Sequence, residues 1–171
     1  MLAAINTVGI YFLSAQTQGG ASCPAEVGQE EKGLKYLSGK NPRRHGQRVD
    51  ASALAKWRDQ VNKSAGNLAD HAAACGQLTV AKKDSLLTQA ATAIIVALGN
   101  EKDQSARLAT LTGLLHITVK MAAAGVPSAT VTWALETADC LIDGLSAQKT
   151  PNLESFRGQI ARIREKIKAN R

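Results

Sequence analysis

The stretch LESFRGQIARIREKI, residues 153–167, carries the clearest structural signal in the chain. Its large apolar residues return every three or four positions, at Leu153, Phe156, Ile160, Ile163 and Ile167. That spacing places them on one side of an α-helix and the charged residues on the others. We therefore predict an amphipathic helix that begins near Thr150-Pro151, with the proline in its first turn.

The same periodicity extends backward from this helix to Asp50. It predicts four more helices, over about 52–75, 80–98, 104–124 and 128–146. Thr79 and Asp103 are suited to cap the second and third of these. Residues 90–98, AATAIIVAL, are apolar all round and predict that the second helix is the central, most buried one. In the third helix, Val119 is expected to point inward.

Short connections between these helices favour antiparallel neighbours. With 171 residues and much alanine, the chain suits one helical core. We predict an all-α fold, a bundle of about five helices over residues 50–171, preceded by a long and largely irregular arm over residues 1–49. Glycine and proline make residues 16–49 a linker, with a short helix around 30–37.

The first fifteen residues are apolar and contain β-branched and aromatic side chains. They lack the cationic start of a secretion signal and are short for a membrane span, although both alternatives stay open. We expect an apolar arm or strand that covers a groove on this chain or on a neighbour. Tyr11 and Phe12 would then contact another subunit.

Positive charge is concentrated at the two ends of the chain. The net charge of +7 divides into +3 over residues 1–49 (six Lys/Arg, three acids), zero over 50–150 (nine and nine) and +4 over 151–171 (six and two). Basic ends around a neutral centre are typical of contact with an anion, namely nucleic acid, an acidic membrane or an acidic partner.

The segment KNPRRHGQR, residues 40–48, is the basic part of the arm. Pro42 and Gly46 favour an extended, irregular backbone, which can follow a phosphate chain with Lys40, Arg43, Arg44 and Arg48. The alternative is a solvated loop. Only six aromatic residues are present in the chain, so base stacking is not expected, and contact with nucleic acid would be independent of sequence.

The last predicted helix is also basic. Arg157, Arg164 and Lys168 border one side of its apolar stripe. These cations could extend from a helix docked on the bundle, meet a membrane surface, or contact phosphates. We assign them, with the arm, to phosphate binding.

The fourth helix carries two unusual features. Glu136, Asp139 and Asp143 form an acidic stripe, which is either solvated, docked against cations of a neighbouring chain, or chemically active. Trp133 and Cys140 point away from the apolar face, so the tryptophan must be covered by the arm, buried by another subunit, or left exposed. We assign Trp133 and the three acids to a subunit interface.

No catalytic or metal motif is complete. GLKYLSGK, residues 33–40, has the wrong glycine spacing for a phosphate loop and no Ser or Thr for magnesium. His71 and Cys75 have metal-ligand spacing, but no second pair of ligands accompanies them. The three cysteines, an odd number without close spacing, indicate a reduced, cytoplasmic protein.

The sequence therefore predicts no enzyme, no cofactor and no metal. It favours a structural subunit of a larger assembly, foremost a nucleoprotein particle that binds the backbone of RNA or DNA together with other protein subunits. Two alternatives are a subunit of a membrane-associated complex held by the apolar N-terminus, and an enzyme or metal site around the carboxylates of the fourth helix.

Overall fold

The computed structural model describes residues 23–45 and 48–170, apart from the side chains of Arg44 and His45. All regular secondary structure in these residues is helical, which confirms the all-α bundle. Helix α1 occupies residues 23–39 and is followed by a 3-10 turn, Pro42–His45. The bundle continues with α2 (Ala51–Ala74), α3 (Val80–Leu98), α4 (Gln104–Ala123), α5 (Ser128–Ala147) and α6 (Glu154–Ala169).

Side-chain caps set the starts of two helices as predicted. The Thr79 hydroxyl accepts a hydrogen bond from the Lys82 amide at 3.1 Å. The Asp103 carboxylate accepts one from the Ala106 amide at 2.9 Å. Each cap gives a partner to an amide that the first helical turn cannot satisfy itself.

Helix α6 begins later than predicted, at Glu154 rather than near Pro151. The connection before it contains two non-glycine residues in the left-handed region, Lys149 at φ 57° and Asn152 at φ 63°. A helix cannot continue through such residues. Pro151 therefore belongs to a turn between α5 and α6.

The central helix is α4, not α3. It packs against α2, α3, α5 and α6. Helix α3 leaves Val96 57% exposed, so its apolar end is not buried on all sides as predicted. Two threonines of α4, Thr110 and Thr118, are buried, so the sequence of this helix is more polar than a central helix is expected to be. One of them, Thr118, donates its hydroxyl to the Leu114 carbonyl at 2.7 Å and so needs no water.

The predicted linker is regular over residues 23–39, because α1 docks on the bundle. Val27 and Leu34 are buried in the common core. The Trp57 indole Nε1 donates to the Leu37 carbonyl at 2.8 Å, which ties the end of α1 to α2. The helix expected around 30–37 exists and is longer. The division of the chain at residues 49 and 50 stays a prediction.

A disulfide joins Cys23 at the start of α1 to Cys75 at the end of α2. The prediction that all cysteines are reduced is therefore wrong for these two. They lie 52 residues apart in sequence, and only the docking of α1 brings their Cα atoms to 5.9 Å. Cys140 is free and exposed.

Candidate interface surfaces

The described backbone of the basic segment, residues 40–45 and 48, connects α1 to α2. Lys40 and Arg48 are both exposed, and Lys40 Nζ stands 5.0 Å from the centre of the Tyr36 ring. Residues 42–45 form a 3-10 turn, so the extended backbone expected for this segment is wrong there. The side chain of Arg44 lies outside the described part of the chain.

Arg43 caps the end of α3. Its guanidinium donates to the carbonyls of Ala97 at 2.9 Å and Leu98 at 3.2 Å. These carbonyls are at the negative end of the helix and have no partner within it. Gly99 leaves room for this approach, because a Cβ atom at this residue would lie 3.1 Å from the Arg43 Nη1 and the guanidinium would have to shift. The predicted phosphate ligand is thus already engaged within the fold.

A second arginine, which the sequence gave no reason to select, supports the same helix end. Arg58 is 5% exposed and its Nη2 lies 3.2 Å from the Glu101 carboxylate. The backbone N–H of Asp103, and then the N–H of Lys102 and the charge of Arg58, hold the pKa of Glu101 below its ordinary value. Buried cations need such a partner, so this cluster is structural.

The basic residues assigned to phosphate on α6 each have a carboxylate partner in the same chain. Arg157 donates to Glu154 at 2.8 Å and to the Ser146 hydroxyl at 3.0 Å. Arg164 pairs with Asp139 of α5. Lys168 lies 3.1 Å from Glu165. The Arg164–Asp139 pair and the Arg157–Ser146 hydrogen bond connect α6 to α5, whereas the other two pairs lie within α6. All three ion pairs partly neutralise the charge that phosphate binding would use.

The Arg164–Asp139 pair removes one carboxylate from the acidic stripe that was predicted to face a neighbouring chain. Asp139 was expected to meet cations of a neighbouring chain, and the structure gives it a cation of its own chain. Glu136 and Asp143 are exposed and have no ion pair within the described residues. The stripe is therefore divided into one carboxylate that docks α6 and two that face outward.

The outer face of α5 is formed by Trp133, Glu136, Cys140 and Asp143. All four are exposed, and Trp133 is 38% exposed. They lie opposite the residues of α5 that enter the core, including Leu135 and Ile142. None of the four belongs to the buried core cluster. Tyr11 and Phe12, the other aromatic residues assigned to an interface, lie outside the described residues.

A groove lies on the other side of α5, between the end of α4, the start of α5 and the second half of α6. Its volume is 880 Å³. Val119 lines it and is 43% exposed, so its predicted inward position is wrong. Arg162 and Lys166 of α6 also line the groove. The sequence shows these cations, but only the packing of three helices forms the groove between them.

Two histidines take part in surface contacts between helices. His71 Nδ1 lies 2.5 Å from Glu30 of α1, and His116 Nε2 lies 2.6 Å from Asp70 of α2. His71 has no metal role with Cys75, because that cysteine is in the disulfide. Within residues 23–45 and 48–170, no group of three or more His, Cys, Asp or Glu side chains is placed to hold a metal ion.

Comparison with protein-family models, with curated proteins and with solved structures finds no match for this chain. Among the described helices, none has the length and apolarity that crossing a membrane requires.

Proposed function

We propose that this chain is a non-catalytic structural subunit of a larger assembly, in which the outer face of α5 contacts another subunit. The observation that carries this proposal is Trp133, which remains 38% exposed on the side of α5 opposite its buried residues. A large aromatic side chain gains most when an interface buries it, and tryptophan is enriched among the residues that dominate binding energy. Trp133 is not part of the buried core cluster, so its removal should affect folding less than loss of a core side chain.

The partner we propose beside protein is a nucleic-acid backbone, as in a nucleoprotein particle. Support comes from the net charge of +7 and from Lys40 and Arg48, exposed at the surface without a carboxylate partner among the described residues. Arg43 contributes less than the sequence suggests, because it caps α3. The contribution of Arg157, Arg164 and Lys168 requires them to leave or share their carboxylates.

The disulfide bears on where this assembly forms. Disulfides persist in oxidising compartments and are rare in the cytosol. The Cys23–Cys75 bond therefore supports an oxidising environment over the cytoplasmic location that the cysteine count suggested.

The subunit contact is tested by measuring the mass of the chain in solution over a series of concentrations. Trp133→Ala should weaken association at least tenfold, because about 1.4 kcal/mol of interface energy corresponds to that factor. Its melting temperature should stay close to that of the wild type. Tyr36→Ala is a matched control, since Tyr36 is an exposed aromatic on α1 that lies off this face. Association that is unchanged by Trp133→Ala would refute the proposal.

The nucleic-acid contact is tested by a salt titration with two unrelated single-stranded oligonucleotides. Each phosphate contact contributes about 0.7 to the slope of log affinity against log salt. Lys40→Ala with Arg48→Ala should therefore lower the slope by about 1.4 on both oligonucleotides, because phosphates carry no sequence information. Lys63→Ala with Lys102→Ala removes the same charge elsewhere and serves as the control. If both double variants lower the slope equally, Lys40 and Arg48 contribute only through the net charge of the protein and not through specific phosphate contacts.

A further inference from the structure

The groove between α4, α5 and α6 combines an apolar floor with cations at its rim. Val126, Val131, Ile163 and Ile167 line it together with the exposed Val119. A surface groove of 880 Å³ lined by aliphatic side chains costs free energy when it is filled by water. An occupant should therefore present apolar surface to the floor.

The rim adds a requirement for negative charge. Arg162 and Lys166 are exposed and line the groove, and no carboxylate lines it within the described part of the chain. On the other side of α6, by contrast, Arg164 is paired with Asp139. Among the described residues the two groove cations have no such partner, so an occupant with carboxylates next to apolar groups would be complementary to the groove.

The outer face of α5 has this combination. Trp133 and Cys140 supply apolar surface, and Glu136 and Asp143 supply two carboxylates beside them. The acids are seven residues apart, about 10 Å along a helix, and the cations are four apart, about 6 Å. The long side chains of arginine and lysine can span that difference.

We propose that the groove receives the outer face of α5 from a second copy of this chain. This inference rests on the proposed function and specifies the surface that α5 contacts. The contact cannot form within one chain, because α5 already lines the groove with Ser128 and Val131, and its outer face points the opposite way. Two different surfaces therefore meet, and each copy retains one free groove and one free face. Such a head-to-tail contact produces rings or filaments rather than closed dimers.

Two charge-reversal variants test the inference. The groove variant is Arg162→Glu with Lys166→Glu, and the face variant is Glu136→Lys with Asp143→Lys. Each places like charges across the proposed contact, so each alone should lose self-association by more than about a hundredfold. A mixture of the two should associate again, because the intact face of the groove variant fits the intact groove of the face variant, and the reversed groove and reversed face also carry opposite charges. Lys63→Glu with Lys102→Glu is the control for the change in net charge of the groove variant, and Asp59→Lys with Asp84→Lys is the control for the face variant.

The possible outcomes separate this inference from the proposed function. Two variants that each fail to associate alone but associate when mixed, as measured by sedimentation, would support the head-to-tail contact, and a mixture that stays monomeric would overturn it. If Trp133→Ala and the face variant abolish association while the groove variant does not, α5 binds another surface and the inference is overturned, but the proposed function stands. If the wild type stays monomeric at every concentration, the head-to-tail contact is overturned, and the outer face of α5 does not contact a second copy of this chain. Circular dichroism of each variant excludes loss of the fold as the cause.

Discussion

The disulfide between α1 and α2 allows the most direct test of the fold. Replacing both Cys23 and Cys75 with alanine opens a loop whose ends are 52 residues apart. The chain-entropy relation gives a loss of about 14 cal/mol/K for a loop of this length, or about 4 kcal/mol at 25 °C. We therefore expect the free energy of unfolding to fall by about 4 kcal/mol, a large part of the ~5–15 kcal/mol typical of a domain.

Thiol titration and denaturant unfolding measure the two parts of this prediction. The wild type, refolded in a glutathione buffer and denatured without reductant, should show one reactive thiol, that of Cys140, and three after reduction. Urea unfolding should then show that Cys140→Ala, the matched control, changes stability by less than ~0.5 kcal/mol. Three thiols before reduction would refute the pairing of Cys23 with Cys75. A paired wild type with a loss below ~1 kcal/mol in the double variant would refute the entropic reasoning.

Three other outcomes follow from side-chain contacts. Arg43→Ala should lower the free energy of unfolding by about 1–2 kcal/mol, because two carbonyls at the end of α3 lose a charged donor; a loss in urea unfolding no larger than that of Lys40→Ala would contradict the capping role. Trp57→Phe should speed amide hydrogen exchange in α1 by about fivefold or more, since a hydrogen bond worth ~1 kcal/mol between α2 and α1 is removed; unchanged exchange would show that this bond does not hold α1. Because the pKa of Glu101 is lowered in the fold, its stabilisation is present above the ordinary pKa and is lost as the pH falls through the lowered pKa. Glu101→Gln should therefore lower stability at pH 7 and reduce the further loss on acidification, and parallel stability–pH curves for the two proteins would refute this account.

The helices from α2 to α6 follow from local sequence. Apolar residues at intervals of three and four, with Thr79 and Asp103 as caps, are enough to place them within a few residues. Both signals act over one or two helical turns, so they can be read without knowing what each helix contacts. The start of α6 was less readable, because it depends on left-handed residues in a turn that carries no glycine.

Helix α1 could be read only in part. Gly28 and Gly33 lower its intrinsic helix propensity. Val27 and Leu34 form a narrow apolar stripe, which stabilises the helix only when it is buried in the common core of the bundle. The disulfide and the Trp57 hydrogen bond add stabilisation from residues at least 20 positions away in sequence. Short-range patterns do not contain that information.

The charged residues show most clearly which properties follow from local sequence and which depend on tertiary contacts. Sequence alone located the cations of the arm and of α6 and the acids of α5, and it identified Trp133 as a residue outside the core. Tertiary structure decided which of these charges remain available, because ion pairing and capping depend on distances between separate helices. In the fold, Arg43 caps the end of α3, Arg164 pairs with Asp139, and Lys166 lies beside an apolar groove. Side-chain type therefore follows from sequence, whereas freedom to bind a partner follows from what the fold has already placed beside each charge.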